Sequence, residues 1–189
     1  DRLVPTFDLD RRGRLRLDYG PRHFDVGFDE QLRPIIYDEA GKVRKSLPKP
    51  AAQDDADMAA RAIATFKGLK KDVKAIASQQ IARQEHALAT SRRWTGQDFV
   101  LFFLEQPLMF NLTHRLLWGR YEGDRLVEPF RVDASLECFT LDDQKVVLDD
   151  ATVGLVHPLQ LDPVQLVAWR EAFIEDEVMI QSLIRRILD

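Results

Sequence analysis

Tyr37-Asp38-Glu39-Ala40-Gly41-Lys42-Val43-Arg44-Lys45-Ser46-Leu47-Pro48-Lys49-Pro50 is a polar turn laced with lysine and arginine, and behind it residues 51–93 contain no proline. From Asp54 onward the apolar positions Ala59, Ala62, Phe66, Leu69, Val73 and Ile76 recur at steps of three and four, the period of a helix with one buried stripe. Asp54, Asp55 and Asp57 fall in its first turn and Arg92 and Arg93 in its last, as the helix dipole favours. The spacing predicts one long helix over about 54–93. A hard-cation site is the competing reading of the aspartates, but no calcium-loop spacing follows them, so they are read as caps.

Upstream of the turn the period changes to two. Leu15, Leu17 and Tyr19 alternate with Arg14, Arg16 and Asp18, and Phe24, Val26 and Phe28 alternate with Asp25, Gly27 and Asp29. Each run is a strand with one apolar face. Turn chemistry at Arg12-Gly13, Gly20-Pro21, Glu30-Gln31 and Ala40-Gly41 makes a small antiparallel meander the economical topology, with Pro5 and Pro34 at edges or strand starts.

Downstream, Thr95-Gly96-Gln97-Asp98 resembles a capping box before the all-apolar helix Phe99-Val100-Leu101-Phe102-Phe103-Leu104, which Pro107 ends or kinks. A short helix carrying Leu108 and Leu112 follows. Leu116 to Tyr121 and Arg125 to Val132 flank Glu122-Gly123-Asp124 as a hairpin, and Val146 to Leu148 and Val153 to Val156 supply further strands. Asp162-Pro163 starts another helix. The last stretch places Ile180, Leu183, Ile184, Ile187 and Leu188 on one face. That stripe is expected to pack on the chain's own core, with an interface to a second copy (a homodimer) or to the remainder of the parent protein as the other reading. The fold class is α+β: antiparallel strands and hairpins against one long helix (about 54–93) and several shorter ones. Residues 1–50 form a β-meander subdomain and 51–189 the helical and mixed remainder.

A chain of 189 residues can bury a full core. Its net charge of −4 argues against a surface built throughout for nucleic acid. A single cysteine, Cys138, forms no intrachain disulfide and suits a reducing, cytoplasmic compartment. No apolar run approaches the roughly 20 residues that span a bilayer, and no membrane role is expected. A beginning at Asp1 rather than methionine reads as a fragment of a larger multidomain protein.

Signatures of chemistry are absent. His23, His86, His114 and His157 are never three or four apart, and Cys138 is distant from each, so no zinc site is expected. There is no Gly-x-Ser-x-Gly elbow, phosphate loop or dinucleotide fingerprint. Adjacent acids at Asp142-Asp143, Asp149-Asp150 and Asp176-Glu177 read as solvated turns rather than a pair facing across a cleft. His157, at a strand end and held extended by Pro158, is the one weak candidate site, and a hydrogen-bonded structural role is the favoured reading. No catalytic residue, metal or cofactor is expected.

Charge is the distinctive feature. Residues 42–93 carry twelve Lys or Arg against five acids, net +7, while residues 133–177 carry eleven acids against Lys145 and Arg170, net −9. Lys67, Lys70, Lys71 and Lys74 share about a third of a helical turn. With Arg44, Lys45 and Lys49 they could track phosphates. The ridge has no interleaved aromatics for base stacking, so a solvated or internally paired face is the favoured reading.

The Tyr37 to Pro50 turn, Phe66-Lys67-x-Leu69-Lys70-Lys71, Arg93-Trp94, Leu117-Trp118-Gly119, Phe130-Arg131 and Val153-Gly154-Leu155-Val156-His157-Pro158-Leu159 together resemble a bacterial domain-of-unknown-function family. That family is found downstream of WGR domains in large proteins labelled molybdate metabolism regulator, and the resemblance covers about residues 33–175. It implies at most a regulatory role and carries over no catalytic residues. Trp118-Gly119-Arg120 spells the WGR signature, but the Trp-Gly pair already belongs to the family pattern; Arg120 is read as incidental and Trp118 as a half-buried strand residue. The expected function is a non-catalytic regulatory or protein-interaction module of a larger cytosolic protein, its partners being other domains of the parent chain or a separate protein. Nucleic-acid binding through the basic ridge is the alternative.

Overall fold

A computed structural model describes residues 3–29 and 31–175. The stripe at Ile180 to Leu188, the homodimer reading built on it and the Asp176-Glu177 pair lie outside the described residues. The chain is α+β. Strands β1 (Leu15–Asp18), β2 (His23–Phe28), β3 (Pro34–Tyr37) and β4 (Val43–Arg44) form a four-stranded antiparallel sheet in chain order. Leu15 and Leu17 face Val26 and Phe24 across the first pair, and Ile36 continues the row opposite Val26. This apolar face packs towards the long helix α1 (Ala56–Ala89). Pro34 opens β3, where its missing N–H costs least.

The boundaries of α1 have identifiable causes. Asp55 is the N-cap, its side chain accepting the N–H groups of Asp57 and Met58. Asp54, expected in the first turn, instead takes the Arg22 guanidinium on both oxygens at 2.9 and 2.8 Å and the Ala51 N–H at 2.7 Å. The helix stops at Ala89 rather than near Arg93. Ser91 adopts φ 52° while the Arg92 N–H bonds the Ala87 carbonyl and the Ser91 N–H that of Leu88, a Schellman ending made without glycine. Arg93 therefore begins strand β5 (Arg93–Thr95). Ala59, Ala62, Leu69 and Val73 are buried as expected; Phe66 and Ile76 are half-covered.

After β5 the chain enters α2 (Gly96–Phe99), capped by Thr95, whose hydroxyl accepts the Asp98 N–H, and widens into a π-helical turn at Val100–Leu104. Helix α3 (Phe110–Thr113) follows Pro107. Strands β6 (Trp118–Glu122), β7 (Arg125–Val132), β8 (Cys138–Phe139) and β9 (Thr152–Leu155) complete a five-stranded antiparallel sheet of order β5-β9-β6-β7-β8. Val146 to Leu148, expected as a strand, is not one: a single bridge joins Lys145 to Phe139, and the backbone then runs past Gly96. Helix α4 (Pro163–Glu175) closes the described chain, with Asp162 and Gln165 in reciprocal capping contacts.

Trp118 is fully buried rather than half-buried. Its ring lies within 4.7–6.0 Å of Phe99, Phe103 and Trp94, and its indole N–H donates to the Thr113 carbonyl. One contiguous hydrophobic cluster links these aromatics with α1 and the meander, and a second joins Trp169 and Phe173 of α4 to Leu117 and Val156.

Candidate functional site

The basic residues singled out in the sequence occupy two separate places. Lys67, Lys70, Lys71 and Lys74 are exposed on α1. Their ridge begins about 16 Å along the helix from its start, at 1.5 Å per residue. None of them makes an ion pair among the described residues, so pairing with the acidic half of the sequence is not what holds them. The Lys70 ammonium lies 5.4 Å from the centre of the Phe66 ring.

Arg44, Lys45 and Lys49 are also exposed, but Arg44 and Lys45 lie at the other edge of the meander and Lys49 over the β1–β2 turn. The strand that meets α1 is β1, and β4 lies three strands away, roughly 14 Å at ordinary strand spacing. The segment from Lys45 to Asp54 returns over the β1–β2 turn, where the Tyr19 hydroxyl donates to the Pro48 carbonyl and Arg22 to that of Lys49. The Arg22 guanidinium, which donates to Asp54, and the Ala51 N–H hold the Asp54 carboxyl below the usual range. The turn and the ridge are thus held by different contacts.

His157 has a defined local task. Its Nδ1 accepts the Leu159 N–H at 3.2 Å, and the Gln160 side chain accepts the His157 N–H at 2.9 Å, a capping box on the 3-10 turn Pro158–Gln160. The Tyr121 hydroxyl lies 2.9 Å from both the Gln160 Oε1 and the Leu155 carbonyl oxygen, which share its single proton. Burial raises the Tyr121 hydroxyl pKa above its ordinary value, with the Arg93 guanidinium stacked 3.6 Å from its ring acting in the other direction. Arg120 pairs with Glu128 across β6 and β7 at 2.9 Å. Cys138 is buried and its thiol is pushed up to about 12, chiefly by burial, with Asp133 and Glu137 adding to it, which leaves it an inert thiol at neutral pH.

Sequence reading missed a surface. Helix α4 is apolar on two sides: Trp169 and Phe173 are 2% exposed, while Val164 is 78%, Val167 54% and Ile174 55% exposed, beside Leu159 at 82%. The signal was in the residues, because Val164, Leu166, Val167, Trp169, Phe173 and Ile174 exceed what one buried stripe requires. Among the described residues no group of His, Cys, Asp and Glu is arranged to hold a metal ion, and no helix is long and apolar enough to cross a membrane.

Comparison with known proteins places the chain by sequence. A family described as Domain of unknown function (DUF4132) matches residues 41–183. The chain is 39% identical over 183 residues to "Uncharacterized protein YehI" of Escherichia coli (strain K12). That alignment covers 95% of this chain and 15% of the relative, so the chain spans only a small part of that protein's length. No solved structure matches it.

Proposed function

The chain belongs to the DUF4132 family, and from that premise we propose that it is a regulatory or protein-interaction module of a larger cytoplasmic protein, using the outer face of α4 to dock on another part of the same polypeptide. The observation that carries this reading is the two-sided apolar character of α4: one side seats Trp169 and Phe173, and the other presents Val164, Val167 and Ile174 to solvent. Exposed apolar surface of this kind is retained where something covers it. The occupant is argued from length, since the relative is several times longer than the matched segment. The regulatory role, and the WGR-associated, molybdate-regulator-like context, come from the sequence resemblance and stand as part of the proposal.

The test is cross-linking mass spectrometry on the parent protein with and without Val164→Asp and Val167→Asp. Cross-links from α4 to a distant region, lost in the double variant while the circular dichroism of the isolated domain is kept, are the expected result. An unchanged cross-link map overturns the docking face. Nucleic-acid binding is the alternative, and anisotropy of labelled DNA and RNA reads it out. Salt-sensitive binding abolished by Lys70→Glu with Lys71→Glu would put the ridge in first place.

A further inference from the structure

The meander ends at β1, and among the described residues no strand continues the sheet beyond it. The Tyr19 N–H bonds the Arg22 carbonyl, and in an antiparallel ladder hydrogen-bonded pairs alternate with non-bonded ones. Leu17 and Leu15 therefore bond to β2 at Phe24 and Val26, while the backbone N–H and C=O groups of Arg16 and Asp18 point away from the sheet. Nothing in the described chain takes them up. The turn at 10–14 leads the preceding residues back towards this edge, where the Asp10 N–H meets the Arg14 carbonyl. Phe7 and Asp8 then adopt φ 52° and 58°, and the Leu9 N–H closes on the Thr6 carbonyl, so the chain turns off before a strand forms.

The open edge faces a groove of about 500 Å³. Leu15, Arg16, Leu17 and Asp18 all line it. Because neighbouring side chains of a strand point to opposite faces, consecutive residues share one groove only along the strand's edge. The far wall is α1, where Met58 and Leu69 are apolar and Ala64, Thr65 and Gly68 are small. Glycine is a poor residue for a helix interior, and a Cβ on Gly68 would meet nothing within 4 Å. Charge along the groove is unbalanced. Arg16 is engaged by Asp25 and Arg61 by the Asp57 carbonyl, each at 3.4 Å, whereas the Asp8 and Asp72 carboxylates have no partner among the described residues.

We propose that this groove takes one extended segment from the rest of the parent polypeptide, added to the meander as a further strand along β1. Its main chain meets Arg16 and Asp18, alternate apolar side chains face Met58 and Leu69, and lysine or arginine meets Asp8 and Asp72. Strand addition of this kind draws affinity from main-chain bonds and specificity from alternate side chains. The source follows from length, since the matched segment is 15% of the relative. A second copy of the chain fits less well, because antiparallel edge pairing about a two-fold axis brings its own α1 onto the same face of the sheet, against this one. The inference shares with the α4 reading the premise of a larger polypeptide and uses a different surface.

Peptides of about twelve residues, tiling the parent protein outside this chain, test it by fluorescence anisotropy against the 189-residue chain. Saturable binding of a peptide with alternating apolar and basic residues is expected. Gly68→Trp fills the groove and should weaken that peptide at least about tenfold, while the melting temperature of the free protein holds or rises, since the site is open and tryptophan is the better helix residue. N-methylation of the peptide at the alternate residues bonded to β1 should weaken it as much, and at the residues between them should not. Val164→Asp with Val167→Asp, which removes the α4 face, should leave the peptide affinity unchanged, so the two readings fail separately. No peptide saturating at about 1 mM, unchanged affinity in Gly68→Trp, or equal loss from both N-methylated sets overturns the proposal. So does a dimer of the chain that Gly68→Trp abolishes.

Discussion

In the four-stranded meander each strand pairs with the next along the chain, whereas in the five-stranded sheet β9 pairs with β5 through Arg93 and Gly154 and with β6 through Trp118 and Leu155. The first arrangement is secured by turn chemistry and the second by close backbone approach. The turns at 10–14, 29–33 and 38–42 are one geometry repeated. An aspartate at the first position accepts the N–H groups of the third and fifth, and the fourth residue has positive φ at Gly13, Leu32 and Gly41. In the other sheet the decisive residues lack side chains. A Cβ on Gly96 would sit 1.9 Å from the Leu148 carbonyl oxygen, and one on Gly119 2.4 Å from the Leu126 side chain. Local instructions build one sheet, and long-range fit builds the other.

The largest effect should come from the centre of that fit. Trp118→Ala removes the ring that touches Phe99, Phe103 and Trp94 and is expected to cost about 4 kcal/mol in urea unfolding. A loss under about 1 kcal/mol would mean that the aromatic cluster is incidental to the sheet. Gly96→Ala comes next, at about 3 kcal/mol, because the atom it meets is backbone and cannot swing aside. If the variant unfolds at the wild-type denaturant midpoint, the close approach of 96 to 148 is not what fixes the sheet.

At the seam where the β1–β2 turn meets the start of α1, the Arg22–Asp54 ion pair adds to the apolar packing, and pH probes it. Asp54 has a depressed carboxyl in the folded chain, caused first by the Arg22 hydrogen bonds and then by the Ala51 N–H. A group whose folded pKa lies below its unfolded value adds stability above the unfolded value, and that stability is lost as pH falls through the folded one. Melting temperature should therefore fall on acidification below the ordinary carboxylate range, and Asp54→Asn should flatten that fall while lowering the neutral-pH value. Parallel pH curves for the two proteins would remove Asp54 from the seam.

How much of this was legible follows from the same contrast. Period-two alternation and turn residues identify β1 to β3, and period three-four identifies α1, because both are local patterns. The end of α1 was misplaced because Ser91, rather than glycine, takes the left-handed position. Val146 to Leu148 has strand composition, yet its neighbour is Gly96 rather than a paired strand, and no local pattern reports that. Among candidate site residues, the Lys67 to Lys74 ridge was visible as a helical cluster and is exposed as such. Gln80 and Gln84 are polar residues that a helical pattern assigns to the surface, and their burial is set by the tertiary fold rather than by any local pattern.

Repeated turn geometry reaches into the second sheet as well, and there it can be improved. The turns at 133–137 and 140–144 repeat the backbone bonding, the N–H of the first residue to the carbonyl of the fifth and that of the fourth to the first. Their fourth positions are Leu136 and Asp143, at φ 67° and 55°. Leu136 lines a cavity with Leu104 and Cys138, so glycine there would trade strain for lost contact. Asp143 is exposed and pairs with Arg131 at a loose 3.6 Å, an ion pair worth at most about 1 kcal/mol. A left-handed residue with a Cβ costs roughly 1–2 kcal/mol, less for aspartate, and glycine gives back about 0.5–1 kcal/mol in chain entropy. Asp143→Gly should therefore stabilise the protein by about 0.5 kcal/mol, while Asp38→Ala, which strips two N–H groups of their acceptor, should cost about 1 kcal/mol. Should Asp143→Gly destabilise by as much as Asp38→Ala, the Arg131 contact outweighs the turn, and the second sheet relies on side-chain partners even where its backbone copies the first.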